Sequence, residues 1–557
     1  MCIYVHYVCV YGTVIAFFPF ADPAPVLDLD SEESDEMTAA VCLDSDLQDG
    51  QMMEVEVGRH GVLLARCNGE FTVLGNQCTH YGAPLSRGAL MGHKLRCPWH
   101  GSCFNVKTGD LEEYPGIDCL PKHKAQSYFL FSLHQTNRMK EMGGRVAGVS
   151  HTTLLLGGGP ACLMCAETLR QERYGGRIIM VTRDDLLPYD KTRLSKVMDV
   201  ENNSITLRRE EFFQQFDIEV WFNKQVTSVN TEEKNVAFSD GGFQHYDQLL
   251  IATGCRAKGL DCPGADLDNV LMLETPADAR RIHSACKDSR IVVVGTSFVG
   301  MEVASYMTDK AATITVIGSS ELPYQRTLGP EIGKITMMML AERGVKFYMN
   351  DSVKEVRRED KRVKEVVLKS GTVLPADVLI VGIGVLPNSG FLQGSGINMD
   401  NKKYVPVDKF MRTNVADVFC AGDLSSFPLK MAGQERVNIG HWQIAQAHGR
   451  VVALNMLHKQ VELNSAPFYW TVLVGRTIRY TGYGEGYTEL ILKGKFEDLK
   501  FLALYIKGEE VVAAAGLNFD PAVSVVAERF SSGKVITRAE AESDDLSWLK
   551  LPTVEDQ

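Results

Sequence analysis

Apolar and polar residues change their rhythm several times along this chain. From about residue 38 to 134, short alternating runs such as MEVEV (53–57), VLLARCNGEFTVLG (62–75) and SYFLFSL (127–133) are broken by Gly, Asn and Asp. A period of two predicts strands with one buried face, and the intervening turn residues predict a small antiparallel β domain. Residues 135–150, polar and glycine-containing, read as a linker. At 152 the rhythm becomes a continuous apolar run, TTLLL, followed by GGGP and by the helical stretch ACLMCAETLRQERYG (161–175). That is how a βαβ unit opens. The same succession recurs as RIVVV (290–294), GTSFVG, MEVASYMTDKAA and TITVI (313–317), so two nucleotide-binding halves are expected. Strand-like runs return with PFYWTVLVG (467–475), FLALYIKG (501–508) and EEVVAAAGLNF (509–519), and a short helix is expected near SVVAERFSSG (524–533).

The fold expected is therefore multidomain, α/β and α+β. An N-terminal extension (1–37) precedes the β-rich domain (38–134) and the linker (135–150). One Rossmann-like domain occupies 151–265 and 386–462, a second (266–385) is inserted into it, and a C-terminal α+β domain fills 463–557.

Composition narrows the function. With 557 residues the chain exceeds one core, and 45% hydrophobic with 23% charged residues is ordinary for a globular protein. A net charge of -12 disfavours nucleic acid, whose phosphates need a basic face, and points to small molecules or proteins as partners. Fourteen cysteines without the spacing of a secreted disulfide scaffold favour a reducing, cytoplasmic setting or metal use. The first 21 residues are apolar but carry no Lys or Arg, lacking the basic region of a secretory or mitochondrial leader, and they run into the acidic DLDSEESDE (28–36). Membrane contact through residues 1–21 and an atypical N-terminal extension both remain open.

One window carries metal chemistry. Cys78-Thr-His80 and Cys97-Pro-Trp-His100 give C-x-H and C-x-x-H sixteen residues apart. Two thiolates for one iron and two imidazoles for the other are the ligand set of a Rieske [2Fe–2S] centre. A structural zinc is the competitor, although zinc fingers pair Cys with Cys and His with His along the chain. The stretch resembles the Rieske family in spacing and in the turn residues Gly82, Pro84, Gly101 and Ser102. High-potential members carry an extra cysteine in each loop, forming a disulfide; Ala83 and Trp99 occupy those positions here. The resemblance thus implies a centre near the low end of the range of about -150 to +300 mV, suited to electrons from a flavin.

In the first Gly-rich turn, Gly157, Gly159 and Pro160 lead into a helix whose N-terminus can hold a pyrophosphate. Cys162 stands where a third glycine is usual, so the helix is expected to pack less closely on its strand. Arg183 and Asp184 fall where an acid usually grips the ribose. In the second turn Gly295, Ser297 and Gly300 take the three positions, and Gly318 replaces the acid at the end of the next strand. No Arg cluster awaits a 2′-phosphate, which leans toward NADH over NADPH. Cys162 and Cys165 form a C-x-x-C, but Cys165 lies in an apolar helical stretch, which favours packing over redox chemistry.

The segments LLPYDKTRLSK (186–196), YDQLLIATG (246–254) and VFCAGD (418–423) match, in order, FAD-containing NAD(P)H reductases. From about residue 40 to 550 the chain resembles the apoptosis-inducing-factor-like, mitochondria-associated flavoproteins that carry an N-terminal Rieske domain, within the pyridine-nucleotide-disulfide oxidoreductase superfamily. The resemblance implies an FAD domain at 151–265 and 386–462 and an NAD(P) domain at 266–385. It implies that Asp423 accepts a hydrogen bond from the FAD ribityl chain. Lys196 would lie by flavin N5, paired with Glu302, which faces the nicotinamide. His441 and Trp442 would border the pyrimidine side. Lys191-Thr192 stands where the family often has Arg-Pro. The plainer reading of Lys196 and Glu302 is a surface ion pair. The function implied is an NAD(P)H-dependent oxidoreductase passing electrons through FAD to the cluster and on to an acceptor, a protein among the candidates, in a monomer or homodimer with a mitochondrial association. The alternative is a redox-sensing, apoptosis-related signalling protein whose NADH complex a partner recognises. A Rieske oxygenase lacks the histidine and carboxylate pattern of its iron site.

Overall fold

The computed structural model describes residues 2–9, 35–57, 60–123 and 137–549. The expected strand at 127–133 lies outside the described residues. The chain forms two compact units. One comprises Met1–Lys140, Asp520–Glu528 and Asp544–Gln557, the other Glu141–Phe519 and Arg529–Ser543.

The first unit holds two four-stranded antiparallel sheets. The larger orders Lys122–His123, Glu70–Gly75, His60–Cys67 and Met52–Val57. Alternation shapes it: Val62 and Leu64 enter one core with Val55, Val57 and Val73, while Leu63, Ala65 and Cys67 enter another with Leu74, Leu95 and Phe104. The smaller sheet runs Ala89–Met91, Lys94–Arg96, Cys103–Asn105 and Leu111–Glu113, a meander of short strands that brackets the second Cys/His loop. Strand Cys2–Cys9 pairs antiparallel with Asp35–Leu43. Among the described residues no helix is long and apolar enough to cross a membrane.

The second unit repeats one plan. Parallel strands in the order Ile218–Trp221, Arg177–Val181, Thr152–Leu156, Gln248–Ile251 and Val418–Cys420 make its first sheet. Val270–Leu271, Val378–Val381, Arg290–Val294, Thr313–Ile317 and Lys346–Tyr348 make the second. In each half a three-stranded antiparallel meander, 226–245 or 353–375, leads into the next parallel strand. Leu154, Leu155 and Leu156 are wholly buried, as a strand covered on both faces requires. A two-stranded link, Cys255–Ala257 with Val385–Pro387, joins the halves. An antiparallel sheet follows, ordered Phe468–Leu473, Arg476–Gly482, Glu510–Leu517, Lys500–Lys507 and Glu489–Lys495.

One expectation is corrected. The C-terminal domain expected over 463–557 is divided, since Asp520–Glu528 and, among the described residues, 544–549 group with the N-terminal unit. Cys162 is wholly buried in helix Pro160–Gln171, and helix Trp442–Met456 comes so close that a Cβ on Gly449 would lie 2.1 Å from the Ala161 carbonyl oxygen. Burial pushes the thiols of Cys162 and Cys165 upward, which keeps them protonated and unreactive, in line with packing.

Candidate cofactor-binding sites

Two tight loops present the cysteines and histidines of the first unit. Cys78 N–H donates to Ala83 O (2.9 Å) and Gly82 N–H to Cys78 O (2.8 Å), while Cys97 N–H donates to Ser102 O (2.8 Å). Gly82 and Gly101 take positive φ, 74° and 81°, which closes each turn. The loops bring their side chains together in like pairs. His80 Nδ1 and His100 Nδ1 lie 3.2 Å apart, and the thiols of Cys78 and Cys97 are hydrogen-bond neighbours. The Cys97 thiol and then burial push the Cys78 thiol up, against the His80 N–H and the Ser102 hydroxyl, which favour its thiolate. Among the described residues no group of three or more His, Cys, Asp or Glu gathers around one ion. Two nitrogen donors gathered as one pair and two sulfur donors as another, with no three of the four around a single point, fit a pair of irons better than one tetrahedral zinc. Cys103, beside the second loop, is in no disulfide.

The second unit contains a cavity of about 1090 Å³. Gly157, Gly159, Pro160, Lys191, Lys196, Glu302, Asp423, His441 and Trp442, expected to bind cofactors, all line it. Arg183 and Asp184 line it too. Gly295, Ser297 and Gly300 do not; Gly295 and the N-cap Ser297 lie in the turn after strand Arg290–Val294 and Gly300 in the first turn of helix Phe298–Tyr306, which sends Phe298, Val299 and Glu302 to the cavity wall. Gly157 has φ 133°, and a Cβ there would sit 2.3 Å from Ala252 O, so only glycine lets the turn hug its sheet. At Gly159 nothing lies within 4 Å of the Cβ position, which opens onto the helix N-terminus. The space left there, and the positive end of the helix, suit a pyrophosphate.

Lys196 and Glu302 are no surface pair. Lys196 Nζ lies 2.8 Å from Glu302 Oε2, with side chains 18% and 3% exposed. Glu302 also accepts hydrogen bonds from the Ser195 hydroxyl and from Thr471 Oγ1 (2.8 Å), and Tyr324 OH lies 3.2 Å from Thr471 Oγ1. Removing one partner from such a buried charge costs far more than breaking an exposed pair. Ser195 adjoins Lys196 in the sequence, whereas Thr471 stands 169 positions from Glu302 with no motif to mark it.

Asp423 follows Gly422, whose N–H donates to His448 Nδ1 (3.1 Å). Burial raises the Asp423 carboxyl and Lys191 opposes the rise. His441, between the rings of Tyr469 and Trp470, has a buried Nδ1 with no hydrogen-bond partner, aimed where a heteroaromatic ligand could supply one. Desolvation lowers both His441 and His448 to about 3, so each is neutral in the folded protein. The unfolded chain takes up protons on these rings below about pH 6.5, so stability is lost as pH falls from there, by about 1.4 kcal/mol per pH unit for each ring. His448→Gln keeps an acceptor for Gly422 N–H but cannot titrate. Its thermal midpoint is expected to fall less between pH 7 and pH 5 than that of the parent; an equal fall would show that His448 titrates alike in both states.

Comparison with known proteins agrees with this geometry. Residues 151–449 match the pyridine nucleotide-disulphide oxidoreductase family and residues 37–124 the Rieske [2Fe-2S] domain. Apoptosis-inducing factor 3 of Homo sapiens is 46% identical over 92% of this chain and 88% of its own length. A rubredoxin-NAD(+) reductase of Pseudomonas putida is 28% identical over 66% of this chain and 95% of its own. The crystal structure of the ferredoxin reductase for the CYP199A2 system from Rhodopseudomonas palustris superposes with a TM-score of 0.69 at 27% identity, covering 72% of this chain and 99% of that one. The chain belongs to the pyridine nucleotide-disulphide oxidoreductases, in the branch of apoptosis-inducing factor 3. It is an oxidoreductase of the FAD- and NAD(H)-binding fold with a Rieske [2Fe–2S] domain.

Proposed function

We propose that the protein relays electrons from NADH through FAD to its Rieske centre and on to a protein acceptor. The observation that carries this is the gathering of the Gly157–Pro160 turn, the Lys196–Glu302 pair, Asp423 and His441 around one cavity, in a chain that also pairs two thiols with two imidazoles. When bound, FAD accepts an electron pair as hydride from NADH, and the [2Fe–2S] cluster takes electrons one at a time.

The residues of the chain divide the remaining work. The Gly157–Pro160 turn binds the FAD pyrophosphate against the helix N-terminus, and Asp423 holds the ribityl chain. Lys196 places its charge at the reacting edge of the flavin, fixed there by Glu302, which Ser195 and Thr471 fix in turn. Neutral His441 borders the ring with Trp442 without adding a charge. Gly295, Ser297 and Gly300 form the NADH turn. Cys78 and Cys97 hold one iron, His80 and His100 the other. Thiols outside any disulfide, Cys103, Cys162 and Cys165 among them, suit a reducing compartment, and an association with mitochondria fits the relatedness to apoptosis-inducing factor 3.

Lys196→Ala removes the charge while leaving Glu302 its two hydroxyl donors. Flavin reduction by NADH in stopped flow is expected to slow roughly ten- to a hundredfold; an unchanged rate removes Lys196 from the site. Turnover with artificial acceptors separates the enzyme from the signalling reading. Rapid NADH oxidation supports the relay, and slow oxidation with a persistent coloured NADH complex selects the sensor.

A further inference from the structure

The loop that carries Cys97 and His100 is held by residues that lie far along the chain. Ser524 Oγ donates to Cys97 O (2.9 Å). Arg96, next to Cys97, directs Nε and Nη2 to Glu528 Oε2 (2.9 and 2.7 Å), Nη2 also to Glu113 Oε2 (2.9 Å), and Nη1 to Gly101 O (2.9 Å). The Arg96 and Glu528 side chains are 1% and 0% exposed, and Lys94 Nζ stands 3.8 Å from the other Glu528 oxygen. Ser524 and Glu528 lie four residues apart on helix Ala522–Ser531, hence on one face; Ser524 touches the Cys97 carbonyl of the six-residue turn from Cys97 to Ser102 directly, and Glu528 reaches its far side only through Arg96, whose Nη1 donates to Gly101 O.

We propose that the segment Ala522–Glu528 is a positioning element of the iron-sulfur centre: Ser524 fixes the Cys97 end of the second ligand loop, and Glu528, through Arg96, fixes the Gly101 end. The proposal rests on reading Cys78, His80, Cys97 and His100 as the ligands. The loop runs between two three-residue strands, Lys94–Arg96 and Cys103–Asn105, and the segment Ala522–Glu528 adds what such short strands do not supply, a fixed seat for the ligand loop. The Arg96 charge is flanked by two carboxylates, Glu113 and Glu528. A buried negative charge so near the centre disfavours adding an electron to it, so Glu528 also lowers the potential.

The test uses the full-length protein. E528Q keeps the shape and an acceptor for Arg96, which also retains Glu113, but removes one negative charge. The EPR-monitored midpoint potential of the centre is expected to shift positive, whereas E70Q, at an exposed site of the same unit, leaves it in place. S524A changes no charge; its expected effect is roughly fivefold faster iron release on mild heating, the loss of one hydrogen bond, with an altered EPR line shape. If E528Q does not retain iron, S524A alone decides by the same two readouts. Parent protein that shows the Rieske signal while both variants match it in potential, line shape and iron release overturns the proposal, as does a negative shift in E528Q. Parent protein without any Rieske signal overturns the ligand reading, and the proposal falls with it.

Discussion

His100→Cys is expected to leave the protein yellow and to abolish the Rieske spectrum. His100 is buried with its Nδ1 3.2 Å from that of His80, the two forming the nitrogen side of the donor set. A thiol in its place exchanges a neutral donor for an anionic one and shortens the reach from the loop. Either no cluster assembles, or one forms with three thiolates whose potential drops from the Rieske range toward the about -400 mV of all-cysteine ferredoxins. The cavity assigned to FAD draws its lining from residues 157–485, so flavin absorbance stays. EPR and visible spectra with an iron assay read both effects at once. Spectra and potential equal to the parent's would show that His100 holds no iron.

Gly300→Ala is expected to weaken NADH binding about ten- to a hundredfold while FAD stays bound. A Cβ at Gly300 would lie 2.0 Å from the Gly295 carbonyl oxygen, a backbone atom of the turn itself, and 3.5 Å from Val293 Cγ1. Gly295 in turn has φ 117°, and a Cβ there would sit 2.0 Å from Gly382 O, so the turn has nowhere to retreat. Overpacking of this kind costs about 1–3 kcal/mol. That cost falls on the turn proposed to bind the dinucleotide. The NADH dependence of flavin reduction measures it, with dithionite reduction as the control for intact flavin. An unchanged concentration dependence would place NADH elsewhere.

What could be read from the residues alone follows from how locally each feature is encoded. The Cys78/His80 and Cys97/His100 loops each close within six residues, so spacing reveals the whole donor set. Both strand–Gly turn–helix starts are equally local. The meander before each return strand, and the three donors on Glu302, are not: Thr471 belongs to the C-terminal antiparallel sheet, and only folding brings it to Glu302. The hardest case is Arg96 with Glu528, 432 positions apart. In SVVAERF, Glu528 reads as a polar residue on the wet side of an amphipathic helix, and nothing in its neighbours announces a buried guanidinium. The same blindness placed residues 520–528 in a C-terminal domain, when they group with the N-terminal unit, Ser524 and Glu528 bonded to Cys97 and Arg96.

The central claim is a relay within one chain, and an anaerobic titration with NADH that follows the flavin and cluster bands together tests it most directly. Each NADH brings two electrons, the flavin holds two and the cluster one, so both bands are expected to bleach to completion at about 1.5 equivalents. A flavin fully reduced at about one equivalent beside a cluster that stays oxidised through further additions would contradict it.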